Sequence, residues 1–248
     1  MVNAPAAIKK AAKSDSGLKE ELAEFKRRRI REEAAHLIFR QGYESATIDA
    51  IADSLKVTKP FIYSYYKNKG EILSDISRLG ITLSLEVLDE CLASPGSYWD
   101  RLKLIVDNVT RLILDNEESI VVYVREEKNL EEQAAREIRE LRSLFDHRLA
   151  RLLLDGKETG EFAIENAGIT ATTIGGMMSW VALWHNPGGH WSESEIIASL
   201  IHNIARIVHS PVHLESLDMQ ARPAMDRGRA PGPQKKTSTR RSRNRSQR

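Results

Sequence analysis

Two short amphipathic segments, separated by three residues, constrain the fold of this chain more than any other feature. Thr47 is a good N-cap, and apolar residues follow it at the i, i+3, i+4 and i+7 positions of one helical face. In the connection "KVT", Thr58 can cap a second helix whose first turn accepts Pro60. Two short helices joined by such a turn predict a helix-turn-helix.

The second helix, in "KPFIYSYY", carries four aromatic rings within six residues, although the whole chain is only 6% aromatic. Ile62 and Tyr66, four residues apart, can pack against the first helix together with part of Tyr63. The remaining side chains are left to point outward: Lys59, Pro60, Phe61 and Ser64, with Tyr65 at the edge.

An outward face of this composition suits the major groove of DNA. Lys59 offers a cation to a phosphate or a guanine, and Pro60 and Phe61 offer apolar contact to thymine methyls. The hydroxyls of Tyr63 and Tyr65 can donate to phosphates, which positions a protein without reading sequence. The alternative interpretation is that the aromatic rings are core and that the lysines are merely solvated.

The charge distribution favours the DNA interpretation. Residues 1–70 carry a net charge of +5, residues 227–248 carry +9, and the region between them, 71–226, carries −12. A polyanion would be attracted to the two ends and repelled by the middle.

Helical periodicity runs through most of the chain, so the predicted fold class is all-α. The segment "SIVVYV" (119–124) suits either a strand or a buried helix, and Ser192 with Glu195 predicts a capping box. The composition of residues 1–19 predicts a flexible arm, and the composition of residues 211–248 predicts a disordered basic tail. The predicted helices span about 20–40, 47–55, 58–66, 71–92, 98–115, 117–130, 131–155, 163–185 and 192–209.

The stretch "TIDAIADSLKVTKPFIYSYYKNKGEIL" resembles the DNA-binding signature of the TetR (tetracycline-repressor-like) family of transcriptional regulators. The resemblance implies a helix-turn-helix DNA-binding domain at residues 20–70, here called the head. It also implies a helical ligand-binding and dimerisation domain at residues 71–210, here called the body. The candidate DNA-binding residues are Thr47, Lys56, Thr58, Lys59, Pro60, Phe61, Tyr63, Ser64, Tyr65 and Lys69.

The chain departs from the family pattern at three positions. Lys56 stands where the family often has Gly in the turn, so it must adopt a less favourable backbone or supply a phosphate contact. Phe61 replaces a residue that is usually small or hydroxylated, so the operator sequence cannot be transferred. Gly70 stands where an acidic residue is common.

Residues 166–184 contain no charged residue. A membrane span is one interpretation, but three threonines, an asparagine and two adjacent glycines argue against it. We expect instead a helix buried between subunits, where Gly168, Ala171, Gly175 and Gly176 allow close approach. The resemblance implies a homodimer through helices 163–185 and 192–209, which would bind a palindromic operator.

The sequence indicates the effector less specifically than the DNA-binding site. The segment "LWHNPGGHWS" is similar to the turn before the final helix in TetR-type repressors that sense acyl-CoA thioesters. With such a ligand, CoA phosphates would meet Arg125, Arg142, Arg148 or Arg151, although ion pairs with neighbouring glutamates are the alternative. The candidate ligand-binding residues are Tyr123, Phe145, Arg148, Met177, Met178, Trp180 and Trp184.

No catalytic site, cofactor or metal site is predicted, because the sequence has no "HExxH", no Gly-rich phosphate loop and no nucleophile elbow. A single cysteine, Cys91, and a polar start without a secretory signal lead us to expect a cytoplasmic protein. The alternative function is an architectural DNA-binding protein that relies on its basic tail.

Overall fold

The structure, a computed structural model, describes the backbone of residues 4–209 and the side chains of residues 17–209. Within these residues the chain is all-helical, as predicted, and the segment 119–124 is helical. The predicted basic tail, 211–248, lies outside the described residues. The α-helices are α1 (Ala4–Gln41), α2 (Ile48–Leu55), α3 (Lys59–Tyr63), α4 (Lys69–Ala93), α5 (Tyr98–Asp115), α6 (Glu117–Glu126), α7 (Glu132–Glu158), α8 (Ala167–Trp184) and α9 (Glu193–His209), with a 3₁₀ helix at Glu127–Asn129.

Helix α1 begins at Ala4, well before the predicted start at Glu20. Residues 4–19, which were predicted to belong to a flexible arm, are thus helical, because their Ala and Lys residues favour a helix even without an apolar face. Its other end matches the prediction: Gly42, at φ +81°, donates its N–H to the carbonyl of Ile38 at 2.8 Å.

Side-chain caps begin most of the later helices. The predicted capping box at Ser192 is present, since Glu195 accepts from the Ser192 N–H and donates its own N–H to the Ser192 hydroxyl. Such caps satisfy N–H groups that have no partner inside the helix. The other capping side chains are Thr47 (α2), Thr58 (α3), Asn68 (α4), Ser97 (α5) and Asn166 (α8).

The described residues pack around two main cores. The head core is built from α1, α2, α3 and the first turns of α4, and it includes the fully buried Ile51, Ile62 and Ile72. The larger body core is built from α4 to α9. Val122 of α6 is buried in the head core although it lies far beyond residue 70. Helices α4 and α6 thus contribute side chains to both cores.

Helix α8 buries one face against its own chain and exposes the other. Ala171, Ile174 and Met178 are buried, whereas Ile169 and Trp180 are 68% and 61% exposed. Although α8 is uncharged, no helix in the described part of the chain is long and apolar enough to cross a membrane.

Candidate nucleic-acid interface and ligand cavity

The helix-turn-helix is fixed by two threonine caps and one residue in a left-handed conformation. Thr47 accepts the N–H of Ala50 at 3.1 Å, and Thr58 accepts the N–H of Phe61 at 3.4 Å. Between the two helices, Lys56 adopts φ 57° and ψ 41° and donates its N–H to carbonyls in the last turn of α2. The expected unfavourable backbone at Lys56 is confirmed. A side chain other than glycine costs about 1–2 kcal/mol in this region.

The faces of α3 largely follow the sequence prediction. Ile62 and Tyr66 are buried in the head core. Tyr63, which was expected to share in this packing, is 48% exposed. The other predicted DNA contacts that are exposed are Thr47, Lys56, Thr58, Lys59, Pro60 and Ser64.

Phe61 and Tyr65 are half-buried and pack against each other. Their ring centroids lie 5.2 Å apart, and the ammonium of Lys26 lies 5.9 Å from the centre of the Phe61 ring. Each ring therefore offers only part of its surface to DNA. These contacts also place Lys26 of α1 beside α3.

Two of the predicted phosphate-binding lysines have partners within the head. The Lys59 ammonium donates to Asp49 at 3.0 Å, and this hydrogen bond raises the pKa of Lys59. The Lys69 ammonium donates to the carbonyl of Tyr43 at 2.7 Å and lies 4.0 Å from the centre of its ring. Both lysines are held in place, and a phosphate would compete with or add to these contacts.

The basic run "KRRR" of α1 was not among the predicted DNA-binding residues. Arg28 and Arg29 are exposed, and the guanidinium of Arg27 lies 4.5 Å from the centre of the Tyr66 ring. Four consecutive basic residues were the available signal. Only the tertiary structure shows that two of them, Lys26 and Arg27, lie beside aromatic rings of the segment from Phe61 to Tyr66.

A buried polar cluster joins α1, the segment after α3 and α4. The Tyr66 hydroxyl donates to Asp75 at 2.6 Å, and Arg31 donates to the same carboxylate at 3.2 Å. Burial is the main cause of the raised pKa of Tyr66, followed by the hydrogen bond to Asp75. The cluster ties the last aromatic residue of the predicted recognition segment to both long helices of the head.

The body encloses a cavity of about 390 Å³, bounded by α4, α5, α6, α7 and α8. Helix α4 supplies a face of small residues, in which Ser77, Gly80 and Ser84 follow at i, i+3 and i+7. This spacing was the sequence signal for that wall, and it was missed. The apolar lining is Ile81, Val109, Ile113, Ile120, Val124, Ile138, Phe145, Met178, Trp180 and Leu183.

Four of the seven predicted ligand residues line this cavity: Tyr123, Phe145, Met178 and Trp180. The other three do not. Met177 packs against the body core, and Trp184 lies edge-on to Trp191 with centroids 6.4 Å apart. Arg148 forms an ion pair with Asp89.

Of the other arginines considered for CoA phosphates, only Arg142 lines the cavity. Arg125 lies 5.4 Å from the centre of the Phe39 ring, and Arg151 pairs with Asp155 at 2.9 Å. Arg142 Nη1 donates to the Tyr123 hydroxyl at 3.1 Å.

Helix α6 lies between the cavity and the head. Ile120 and Tyr123 face the cavity, whereas Val122 is buried in the head core. Glu118 Oε1 lies 3.0 Å from Nδ1 of His36 on α1, and Glu126 accepts the N–H of Tyr43 at 3.4 Å. A displacement of α6 by a ligand would therefore act directly on the head.

Comparisons with known proteins match both regions. The family model "Bacterial regulatory proteins, tetR family" matches residues 30–76, and "Tetracyclin repressor-like, C-terminal domain" matches residues 95–208. The HTH-type transcriptional repressor KstR of Mycobacterium tuberculosis (strain ATCC 25618 / H37Rv) is 24% identical over 178 residues, which are 71% of this chain and 80% of KstR.

Two solved structures show the same fold. A regulatory protein of the TetR family from Rhodococcus RHA1 aligns with a TM-score of 0.69 at 24% identity, over 74% of this chain and 97% of that one. AibR, in complex with isovaleryl coenzyme A and operator DNA, aligns with a TM-score of 0.64 at 22% identity, over 72% of this chain and 97% of that one.

The two family matches together span the helix-turn-helix and most of the helices that enclose the cavity. The chain therefore belongs to the TetR family, whose members are DNA-binding transcriptional regulators rather than enzymes.

Proposed function

We propose that the protein is a ligand-responsive repressor that binds a palindromic operator as a homodimer and leaves it when a small effector enters the body cavity. The observation that carries this proposal is the position of α6, which lines the cavity with Ile120 and Tyr123 and fills the head core with Val122. An effector that binds best to a displaced α6 would shift the population away from the DNA-competent arrangement.

The DNA contacts of the proposal come from the exposed residues of the helix-turn-helix. Pro60 and the accessible part of Phe61 would face base edges, and Lys59, Tyr63 and Lys69 would contact phosphates. The backbone contacts are completed by Thr47, Lys56, Thr58, Ser64 and Tyr65.

The dimer would form through the exposed faces of α8 and α9. Gly168 and Gly176 are exposed and allow close approach of a partner helix, and Ile169 and Trp184 supply apolar contact area. Ala171 was also expected to allow close approach, but it is fully buried in its own subunit and is not available to a partner helix. Two recognition helices about 34–36 Å apart would then read successive turns of the major groove.

The effector would be a mainly apolar molecule or an acyl-CoA thioester. The apolar lining of the cavity supports the first, and the likeness to AibR, solved with isovaleryl coenzyme A, supports the second. The cytoplasm is the compartment in which such a regulator would meet both DNA and metabolites.

Selection from random DNA, followed by fluorescence anisotropy with the selected duplex, tests the function. We expect a near-palindromic sequence to be enriched, and we expect acyl-CoA thioesters or the free acids to release the protein from it. Enrichment of no sequence, with DNA affinity lost on deletion of residues 227–248, would instead establish the architectural alternative.

A further inference from the structure

Among the described residues that line the cavity, Arg142 is the only cationic one. Within residues 17–209, no carboxylate lies within ion-pair distance of it. Three other arginines of the same helix, Arg136, Arg148 and Arg151, each form an ion pair with an aspartate or a glutamate. The mouth of the cavity thus holds a guanidinium that forms no ion pair among the described residues, although Glu127 and Asp146 also line the cavity.

The contacts of Arg142 leave its charge available. Its Nη1 donates to the Tyr123 hydroxyl, a neutral acceptor, at 3.1 Å, and its guanidinium lies 5.8 Å from the centre of the Tyr123 ring. The Tyr123 hydroxyl in turn donates to Glu127 at 3.4 Å. Tyr123 therefore positions the guanidinium, and Arg142 retains further N–H donors for a ligand.

Two carboxylates among the lining residues limit how much negative charge the mouth would accept. Glu127 interacts with Tyr123, and Asp146 accepts from the Thr172 hydroxyl at 3.1 Å. Each would repel a second anionic group brought close to Arg142. Behind the mouth the walls are apolar, as the side chains of Ile113, Ile138 and Phe145 illustrate.

We propose that the effector combines an apolar part with an anionic group, and that the anionic group binds Arg142 at the mouth while the apolar part fills the cavity. This inference rests on the proposed function and specifies the chemistry of its ligand. The anionic group is a carboxylate of a free acid or a phosphate of a CoA thioester, since both accept the same hydrogen bonds from a guanidinium.

Displacement of the neutral fluorescent probe N-phenyl-1-naphthylamine would test the inference. Decanoate, decanol and decanoyl-CoA serve as competitors, because they share one alkyl chain and differ in the terminal group. We expect Arg142→Gln to lower the affinity of the displacing anion about tenfold, which is the size of one charge-assisted hydrogen bond at a partly exposed site. The affinity of decanol should stay within about twofold of its wild-type value.

Arg139→Gln is the matched control, since Arg139 is exposed on the same helix and does not line the cavity. It removes the same charge and should change no displacement constant. Glu127→Gln should have the opposite effect to Arg142→Gln and raise the affinity of the displacing anion. The anion that loses affinity in Arg142→Gln identifies the source of the group: decanoate for a carboxylate, or decanoyl-CoA alone for a phosphate.

The outcomes separate this inference from the proposed function. If the neutral probe does not bind the wild-type protein, the cavity does not take apolar ligands and the proposed function fails with it. If the probe binds but Arg142→Gln and Arg139→Gln are alike for both anions, only the anionic group is disproved.

Discussion

In the head, the starts of α2, α3 and α4 are each specified by the residue that precedes the helix, whereas in the body the cavity is made by residues far apart in sequence. Thr47, Thr58 and Asn68 each accept the N–H of the residue three positions later, at 3.1, 3.4 and 2.7 Å. The cavity instead joins walls from five helices, from Ser77 on α4 to Leu183 on α8. The helix starts of the head therefore follow from hydrogen bonds between residues close in sequence, whereas the cavity depends on how distant helices pack together.

The largest effect should come from the head core. Ile62 is fully buried between α3 and its neighbours, so Ile62→Ala should lower the free energy of unfolding by about 2–5 kcal/mol. Urea denaturation measures this loss. The neighbour Tyr63 is 48% exposed, and Tyr63→Ala should stay within about 0.5 kcal/mol of the wild type. Equal losses in the two variants would mean that α3 is not packed as described.

The second effect tests whether the cavity and the proposed dimer face share a residue. Trp180 lines the cavity and is nevertheless 61% exposed on α8. Trp180→Ala should weaken both dimerisation, by about 2–4 kcal/mol as for an interface hot spot, and the binding of N-phenyl-1-naphthylamine. Analytical ultracentrifugation and fluorescence titration measure the two.

Trp191 provides the control, because it is also 61% exposed but does not line the cavity. Trp191→Ala should leave probe binding unchanged. A dimer unaffected by Trp180→Ala would place the interface elsewhere.

A smaller effect should distinguish residues that contact specific bases from residues that bind DNA of any sequence. If the accessible part of Phe61 contacts a thymine methyl, Phe61→Ala should weaken operator binding by about 1–2 kcal/mol and leave binding to random DNA nearly unchanged. Fluorescence anisotropy with both duplexes gives the ratio. Lys59→Ala should weaken both equally, because a phosphate contact carries no sequence information. A parallel loss on both duplexes in Phe61→Ala would show that the ring only supports Tyr65.

The smallest expected effect is a difference between the two regions in how the stabilisation by a helix cap depends on pH. In the body, hydrogen bonds from Lys103 and from Ser97 lower the pKa of Asp100, in the capping box of α5, to about 2. Because this folded pKa lies below the ordinary value of 3.8, the stabilisation is present above pH 3.8 and is lost as the pH falls towards 2. Thermal melts of wild type and Asp100→Asn should therefore differ near neutral pH and converge between these values.

In the head, the caps of α2 and α3 are threonine hydroxyls, which do not titrate. The difference between wild type and Thr47→Ala should therefore not depend on the protonation of the cap. A gap that closes on acidification in Thr47→Ala as it does in Asp100→Asn would show that the pH effect belongs to the whole fold and not to the cap.

Features that depend on neighbouring residues were predictable from the sequence. The caps at Thr47, Thr58 and Ser192 were predictable because each bond spans about one helical turn. The strained backbone at Lys56 followed from a turn that usually needs glycine. The early start of α1 was missed because helix propensity, and not an apolar face, produces it.

The candidate cavity was predictable only in part. Large apolar residues such as Met178 and Trp180 were proposed as walls, but Met177 and Trp184 carry the same chemistry and lie elsewhere. Their positions depend on the rotation of α8 about its axis, which follows from its packing against α5 and α7. The small residues of α4 carried a spacing signal, but no chemical property distinguished them from an ordinary helix contact.

By itself the sequence determined the helical class, the helix-turn-helix with its caps, and the family, because these depend on interactions within a few residues or on a characteristic order of residue types. Only the tertiary structure decided that α6 serves both cores, that α1 brings basic residues to α3, and that Arg142 alone among four candidate arginines lines the cavity. The reason is physical: whether an arginine is neutralised depends on the carboxylate that folding places beside it, as Asp89 is placed beside Arg148.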